Sequence, residues 1–187
     1  MKLKKVLGAL VASGLLVFAM GALAGCADNS KQVITDSLNE EINQIKSMDS
    51  EVIGDLSAVL PESTLQMLGI SSEEFMSAVF AGFDGTVDSV EVDGKTAQAV
   101  VTFTSKNLSD IEEKMESISD EMQNDPEQFA GMSTDEIYAW TGEKIMEYIN
   151  AAPVETREPV TIDYELNGNT WEPTADSQTK LESALFG

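Results

Sequence analysis

Of the side chains that do nucleophilic, metal-binding and proton-transfer chemistry near neutral pH, this 187-residue sequence holds a single cysteine, Cys26, and no histidine. One thiol and no imidazole leave no basis for Cys/His zinc sites, Ser-His-Asp triads or histidine acid–base work. What the chain has in quantity is carboxylate, with 33 Asp+Glu against 11 Lys+Arg. Carboxylate catalysis needs an acid whose pKa is displaced by burial or by a partner. The acids here are expected on polar helix faces and strand exteriors, Glu40 and Glu41 among them, and none stands alone in an apolar segment. Asp163 and Tyr164 are neighbours, yet adjacent strand residues point to opposite faces. Arg157, the sole arginine, lies beside Glu155 and Glu158 and is expected to pair locally. No catalytic residue, metal ligand or cofactor is assigned. The expectation is a non-enzymatic protein, with a small pocket enzyme using an Asp or a Tyr as the alternative.

The setting of Cys26 points elsewhere. Met1-Lys2-Leu3-Lys4-Lys5 is a short basic start, and no charged residue follows from Val6 to Ala24. Then come Leu23-Ala24-Gly25-Cys26 and an immediate polar run, Ala27 to Gln32. A basic end, an apolar middle and small residues at a cut site are the layout of a secretory signal. The Leu-Ala-Gly-Cys quartet resembles the bacterial lipobox, which implies diacylglycerol on the Cys26 thiol, cleavage between Gly25 and Cys26, and labelling by palmitate. The rival reading is an uncleaved membrane-spanning anchor, since the apolar stretch reaches the usual length threshold. Both place the lysines in the cytoplasm and the rest outside.

Residues 1–25 hold three lysines and no acid, so the remainder carries 8 basic and 33 acidic residues, a formal charge of −25. Such a surface repels nucleic acid and anionic headgroups. The expected organisation is a signal over 1–25, a lipid-anchored tether over 26–32 and one domain over 33–187.

Asp163-Tyr164-Glu165-Leu166-Asn167-Gly168 matches the first half of an EF-hand loop, with oxygen ligands at positions one, three and five and glycine at six. Position twelve is Thr174 where a bidentate Glu is needed, and Pro173 stiffens the approach. A strand and turn fit the same residues better; a calcium-responsive surface protein is the second alternative.

Apolar periodicity supplies the elements. Ile34, Leu38, Ile42, Ile45, Met48, Val52, Leu56 and Val59 recur at steps of three and four and predict a helix. Pro61 to Gly69 reads as a short helix closed by glycine. Ser71 with Glu74 looks like a capping box for a helix carrying Phe75, Val79, Phe80 and Phe83, with Ile70 stapled to Phe75. That helix is expected to end near Gly82 to Gly85. Val90 and Val92 then alternate with polar residues, Asp93-Gly94 signals a turn, and Ala97, Ala99, Val101 and Phe103 face one way on the return strand. Ser109 with Glu112 and Ser133 with Glu136 look like caps of two further helices. Val160, Ile162, Tyr164 and Leu166 form a strand, Asn167-Gly168 a second turn, and Thr170-Trp171 an edge strand cut short by Pro173. Leu181, Leu185 and Phe186 suggest a last helix. The sum is an α+β domain in which two antiparallel hairpins form a small curved sheet, with N-terminal and central helices packed on one face. Trp171, Tyr164 and Phe103 on strands, and Trp140 and Tyr148 on a helix over them, are expected to be core.

The lipobox, the hairpin from Val92 to Lys95 and the ending Asn167-Gly168-Asn169-Thr170-Trp171 together resemble small bacterial lipoproteins of unknown function. The resemblance implies a domain similar to cystatin-like and nuclear-transport-factor-like folds. It implies a membrane-anchored protein on the extracytoplasmic face of the cell membrane. Its partners would be the membrane through the lipid, and an envelope protein or an apolar ligand.

Overall fold

The computed structural model describes residues 29–48 and 62–186. The signal segment, Gly25, Cys26 and the Val52, Leu56 and Val59 end of the first stripe lie outside them. Helix α1 spans Ser30–Ser47 and buries Ile34, Leu38, Ile42 and Ile45, as its periodicity demands. It stops at Met48, which turns left-handed at φ 53 so that its N–H reaches Gln44 O and Ile45 O. Because α1 begins at Ser30, the last three residues read as tether are helical.

Helix α2 (Glu62–Met67) closes around Gly69, whose φ of +71 lets the Ile70 N–H return to Leu65 O at 2.9 Å. Helix α3 (Ser72–Val79) starts where expected, with Ser71 Oγ accepting from the Glu74 N–H at 3.1 Å. Ile70 and Phe75 are both buried.

The chain then enters the sheet earlier than periodicity suggests. Strand β1 spans Asp84–Asp93, so Gly85 belongs to a strand and not to a helix end. Val87 and Val90 are three apart and would point oppositely in a regular strand. A bulge between Val87 and Ser89 corrects the phase: Val87 pairs with Val101 and Val90 with Ala99. The extra residue, Asp88, accepts a hydrogen bond from Thr102 Oγ1 at 2.6 Å. Strand β2 (Thr96–Lys106) pairs with β1 through a two-residue turn, Gly94-Lys95, one place later than the Asp-Gly signal suggested. Positive φ falls on Gly94 alone of the pair, the pattern of a type II′ turn.

Helix α4 (Ile111–Asn124) departs from the capping expectation. Its N-cap is Asp110 without a side-chain cap, while Ser109 donates through its N–H and Oγ to Asn107 Oδ1. Asn107 competes successfully for the serine, so the helix starts one residue late. After a single turn, α5 (Pro126–Phe129), helix α6 (Thr134–Ala151) opens with a complete box. The Ser133 N–H donates to Glu136 Oε2 at 2.7 Å and Ser133 Oγ accepts from the Glu136 N–H at 3.3 Å.

Strands β3 (Val154–Thr156), β4 (Val160–Asn167) and β5 (Thr170–Pro173) complete an open, five-stranded antiparallel sheet. Its order is β1-β2-β4-β5, with β3 also against β2. β3 was not legible in the sequence: its three residues are all exposed and show no alternation. One face carries Val90, Ala97, Ala99, Val101, Phe103, Ile162, Tyr164 and Trp171, which pack in one cluster with Ile34, Phe75, Met76, Ile145 and Ile149 from α1, α3 and α6.

The last helix, α7 (Ala175–Phe186), corrects the one-sided arrangement. Ser177 Oγ accepts from the Asp163 N–H at 2.7 Å and Lys180 Nζ reaches Asp163 Oδ2 at 2.8 Å. The Asp163 side chain projects from the face opposite Ile162 and Tyr164, so α7 packs there. Pro173 stands opposite Tyr164, and the ladder runs one bond past it, from the Thr174 N–H to Asp163 O at 2.8 Å, before α7 begins at Ala175.

Two contacts fix α6. Lys106, only 5% exposed, donates from Nζ to Ile149 O at 2.6 Å and Asn150 O at 2.9 Å. The last turn of α6 has no basic residue of its own, so this lysine from β2 meets its orphan carbonyls and the negative end of its dipole. Gly142 is the other contact, because a Cβ built there would lie 1.9 Å from Leu68 O. Gly142→Ala is expected to lower stability by about 1–3 kcal/mol, the usual range for overpacking against backbone. A thermal or urea melt showing no loss would mean that α6 slides freely past the α2–α3 connection.

Candidate functional site

Beside the apolar contact between helices and sheet sits one acid that the sequence reading placed elsewhere. Glu41 is half-buried, not on the outer face of α1 with Glu40. The steps 34, 38, 41, 45 and 48 show why: Glu41 occupies a position of the same three-and-four stripe that Ile34, Leu38, Ile45 and Met48 define. Ile42, adjacent to it, packs against the backbone of β1 at Gly85, where a Cβ would come within 3.0 Å of Ile42 Cδ1. Burial pushes the Glu41 carboxyl up to about 9, with a smaller contribution from the like charge of Glu40. On the sheet side stands Tyr164, 1% exposed, whose hydroxyl has no hydrogen-bond partner. Burial raises its pKa too, and the negative charge of Glu41 adds to the effect. At neutral pH both groups are therefore uncharged, proton donors and not bases.

Asp163, Tyr164's neighbour, does point the other way, as strand geometry requires. Its carboxylate accepts from Lys180 Nζ at 2.8 Å and from Gln98 Nε2 at 2.8 Å. Those bonds, Lys180 first and Gln98 second, hold its pKa below the usual carboxylate value. The half EF-hand is a strand and a turn. Asn167 and Thr170 pair across Gly168-Asn169, Gly168 takes φ +65, and the Asn167 amide donates to Glu172 Oε2 at 2.7 Å. A calcium ion on Asp163 would have to displace a lysine.

Arg157 does not follow the local pairing expected of it. Its Nη2 donates to Lys106 O at 3.1 Å and its Nε to Ser105 Oγ at 3.3 Å. The bend from β3 to β4 lays the guanidinium against the end of β2, and that long-range placement has no signature in the neighbouring glutamates.

Phe103, Tyr164 and Trp171 are buried core. Trp140 stands edge-on to Phe129 at 4.8 Å and Tyr148 lies beneath Lys114 Nζ at 5.7 Å, so both rings on α6 have partners of their own. A shallow cleft beside α7 is lined by Arg157, Val160, Thr161, Asp176, Lys180 and Ala184, among others. Among the described residues no group of His, Cys, Asp or Glu is arranged to hold a metal ion, and no helix is long and apolar enough to cross a membrane.

No protein-family model and no curated protein sequence matches this chain. Among solved structures it is similar to one from Bacillus subtilis subsp. subtilis str. 168, described as that of a lipoprotein (ycdA). The identity is 13% and the TM-score 0.40, over 81% of this chain and 47% of the other. This chain thus spans about half the length of that protein, and so slight a likeness assigns neither fold nor role.

Two outcomes are expected at Asp163. Its depressed pKa contributes stability that is complete above the unfolded value of about 3.9 and is lost as pH falls through the folded value. Asp163→Asn should therefore flatten the acid limb of the melting profile, by about 1 kcal/mol or less for a partly exposed pair. Calcium should raise the melting temperature no further than sodium of equal ionic strength; a larger rise would reinstate the cation-responsive reading.

Proposed function

We propose that this is an extracytoplasmic lipoprotein, anchored to the cell membrane through Cys26, whose domain is a non-catalytic binding module at the cell envelope. The observation that carries the reading is the sole thiol of the chain at the end of Leu23-Ala24-Gly25-Cys26, closing a stretch from Val6 that holds no charged residue. The fold supports it from the other side. Helix α1 begins at Ser30, so three residues separate the lipidated position from the domain. Fully extended, they reach about 14 Å. A domain so close to the bilayer is suited to partners at the membrane surface, and its charge of −25 turns it away from anionic headgroups. The likeness to small lipoproteins with cystatin-like or nuclear-transport-factor-like domains belongs to this reading. Its ligand classes are an envelope protein or an apolar molecule.

The pocket-enzyme alternative has one observation on its side, two acids with raised pKa values, the half-buried Glu41 carboxyl and the buried Tyr164 hydroxyl. Both are neutral at pH 7, so the pair supplies a general acid without the base that most hydrolytic and transfer chemistry also needs.

The test is Cys26→Ser. The variant should lose palmitate labelling, keep its leader uncleaved at Gly25, and yield none of the mature lipidated form in the membrane fraction. Labelling or normal maturation of the serine variant would overturn the anchor. Crosslinking of the native protein in its membrane, followed by identification of captured species, addresses the binding role.

A further inference from the structure

The guanidinium of Arg157 is oriented by its fold and has no anion. Its backbone N–H donates to Phe103 O at 2.8 Å, and Nε and Nη2 are fixed on Ser105 Oγ and Lys106 O. Nη1 makes no hydrogen bond among the described residues. Their ion pairs are all made by lysines, Lys46 with Asp84, Lys144 with Glu147 and Lys180 with Asp163. The sole arginine of a chain with 33 acids thus stands without a carboxylate, although Glu155 and Glu158 flank it. Glu155 is drawn off by the Asn107 amide at 3.0 Å, and Glu158 is exposed.

This half-buried guanidinium lines the shallow cleft beside α7 on the second face of the sheet. Pro159, Val160 and Ala184 give the cleft an apolar wall. Its charges balance, Arg157 and Lys180 against Glu158 and Asp176, on a chain whose formal charge is −22. Lys180 is already taken by Asp163, which leaves Arg157 as the cation open to a ligand. A phosphate dianion would meet the two acids and the field of the whole chain, whereas a single carboxylate matches the planar fork of a guanidinium. We infer that this cleft binds a small monocarboxylate with an apolar body, its carboxylate on Arg157 and its body against Pro159, Val160 and Ala184. Because bonds within the fold already orient Arg157, little side-chain freedom is lost on binding. The site rests on the reading of the domain as a binding module and names a ligand class for it; it does not depend on the anchor.

One arginine gives one Nε–H signal, so NMR of the full-length protein in nanodiscs, labelled at arginine nitrogen, reads the site directly. Phenylbutyrate should shift that signal saturably at about millimolar concentration, the affinity of a ligand of this size in a shallow site. Phenylbutanol, with the body and no charge, and acetate, with the charge and no body, should each bind about tenfold more weakly. Arg157→Lys keeps the charge, loses the fork and should abolish binding seen from the ligand's own signals. Thr179 is exposed and lines the cleft, so its variants do not threaten the fold. Thr179→Glu should weaken phenylbutyrate by about two- to fivefold, and Thr179→Gln should leave it unchanged. A signal that stays still, moves without saturating, or moves alike with phenylbutanol would overturn the site. Capture of an envelope protein by crosslinking would still uphold the binding module, so the two readings fail separately.

Discussion

Burial of one face of a twisted sheet beneath the apolar stripes of α1, α3 and α6 is the interaction on which the rest of the molecule depends. With a single cysteine and no histidine, the chain can form neither an internal disulfide nor a Cys/His zinc site to hold the domain. The inner face is filled by small and branched residues on β2, Ala97, Ala99 and Val101, and by larger ones, Phe103 near the end of the same strand, Tyr164 on β4 and Trp171 on β5. The bulge at Asp88 belongs to the same requirement, because without it Val87 or Val90 would face water.

Polar groups mark the places where this packing has to be joined up. Lys106 meets the open end of α6, and Arg157 ties the β3–β4 bend back to β2. Ser177 completes the β4 edge where β5 stops. Each satisfies backbone or hydroxyl groups that would otherwise be buried without partners. Tyr164 is different in kind, since its buried hydroxyl has no hydrogen-bond partner among the described residues.

Much of the architecture was legible. Residues 34–45 carry a stripe that only a helix satisfies, and Val90 to Phe103 alternate around a glycine turn. Serine caps at Ser71 and Ser133 fall three residues before a glutamate, and both operate. The misreadings differ in origin. Ser109 looked like a cap, but Asn107 two residues back binds its hydroxyl. Glu41 looked solvent-facing because it is charged, although its spacing put it on the buried side. Arg157 looked paired with its neighbours, but the turn carries it to β2, and there alone a local rule was overruled by a group that the fold brought near.

The sequence by itself determined that the chain has one thiol and no imidazole, the α+β class and the two hairpins. These follow from residue type and from periods of two and about 3.6, both of which are properties of short segments. Tertiary structure alone decided that α7 crosses to the second face, that β3 joins β2, and that Arg157 reaches the end of β2. Those facts arise between residues far apart in the chain, where the deciding quantity is which surfaces exclude water together.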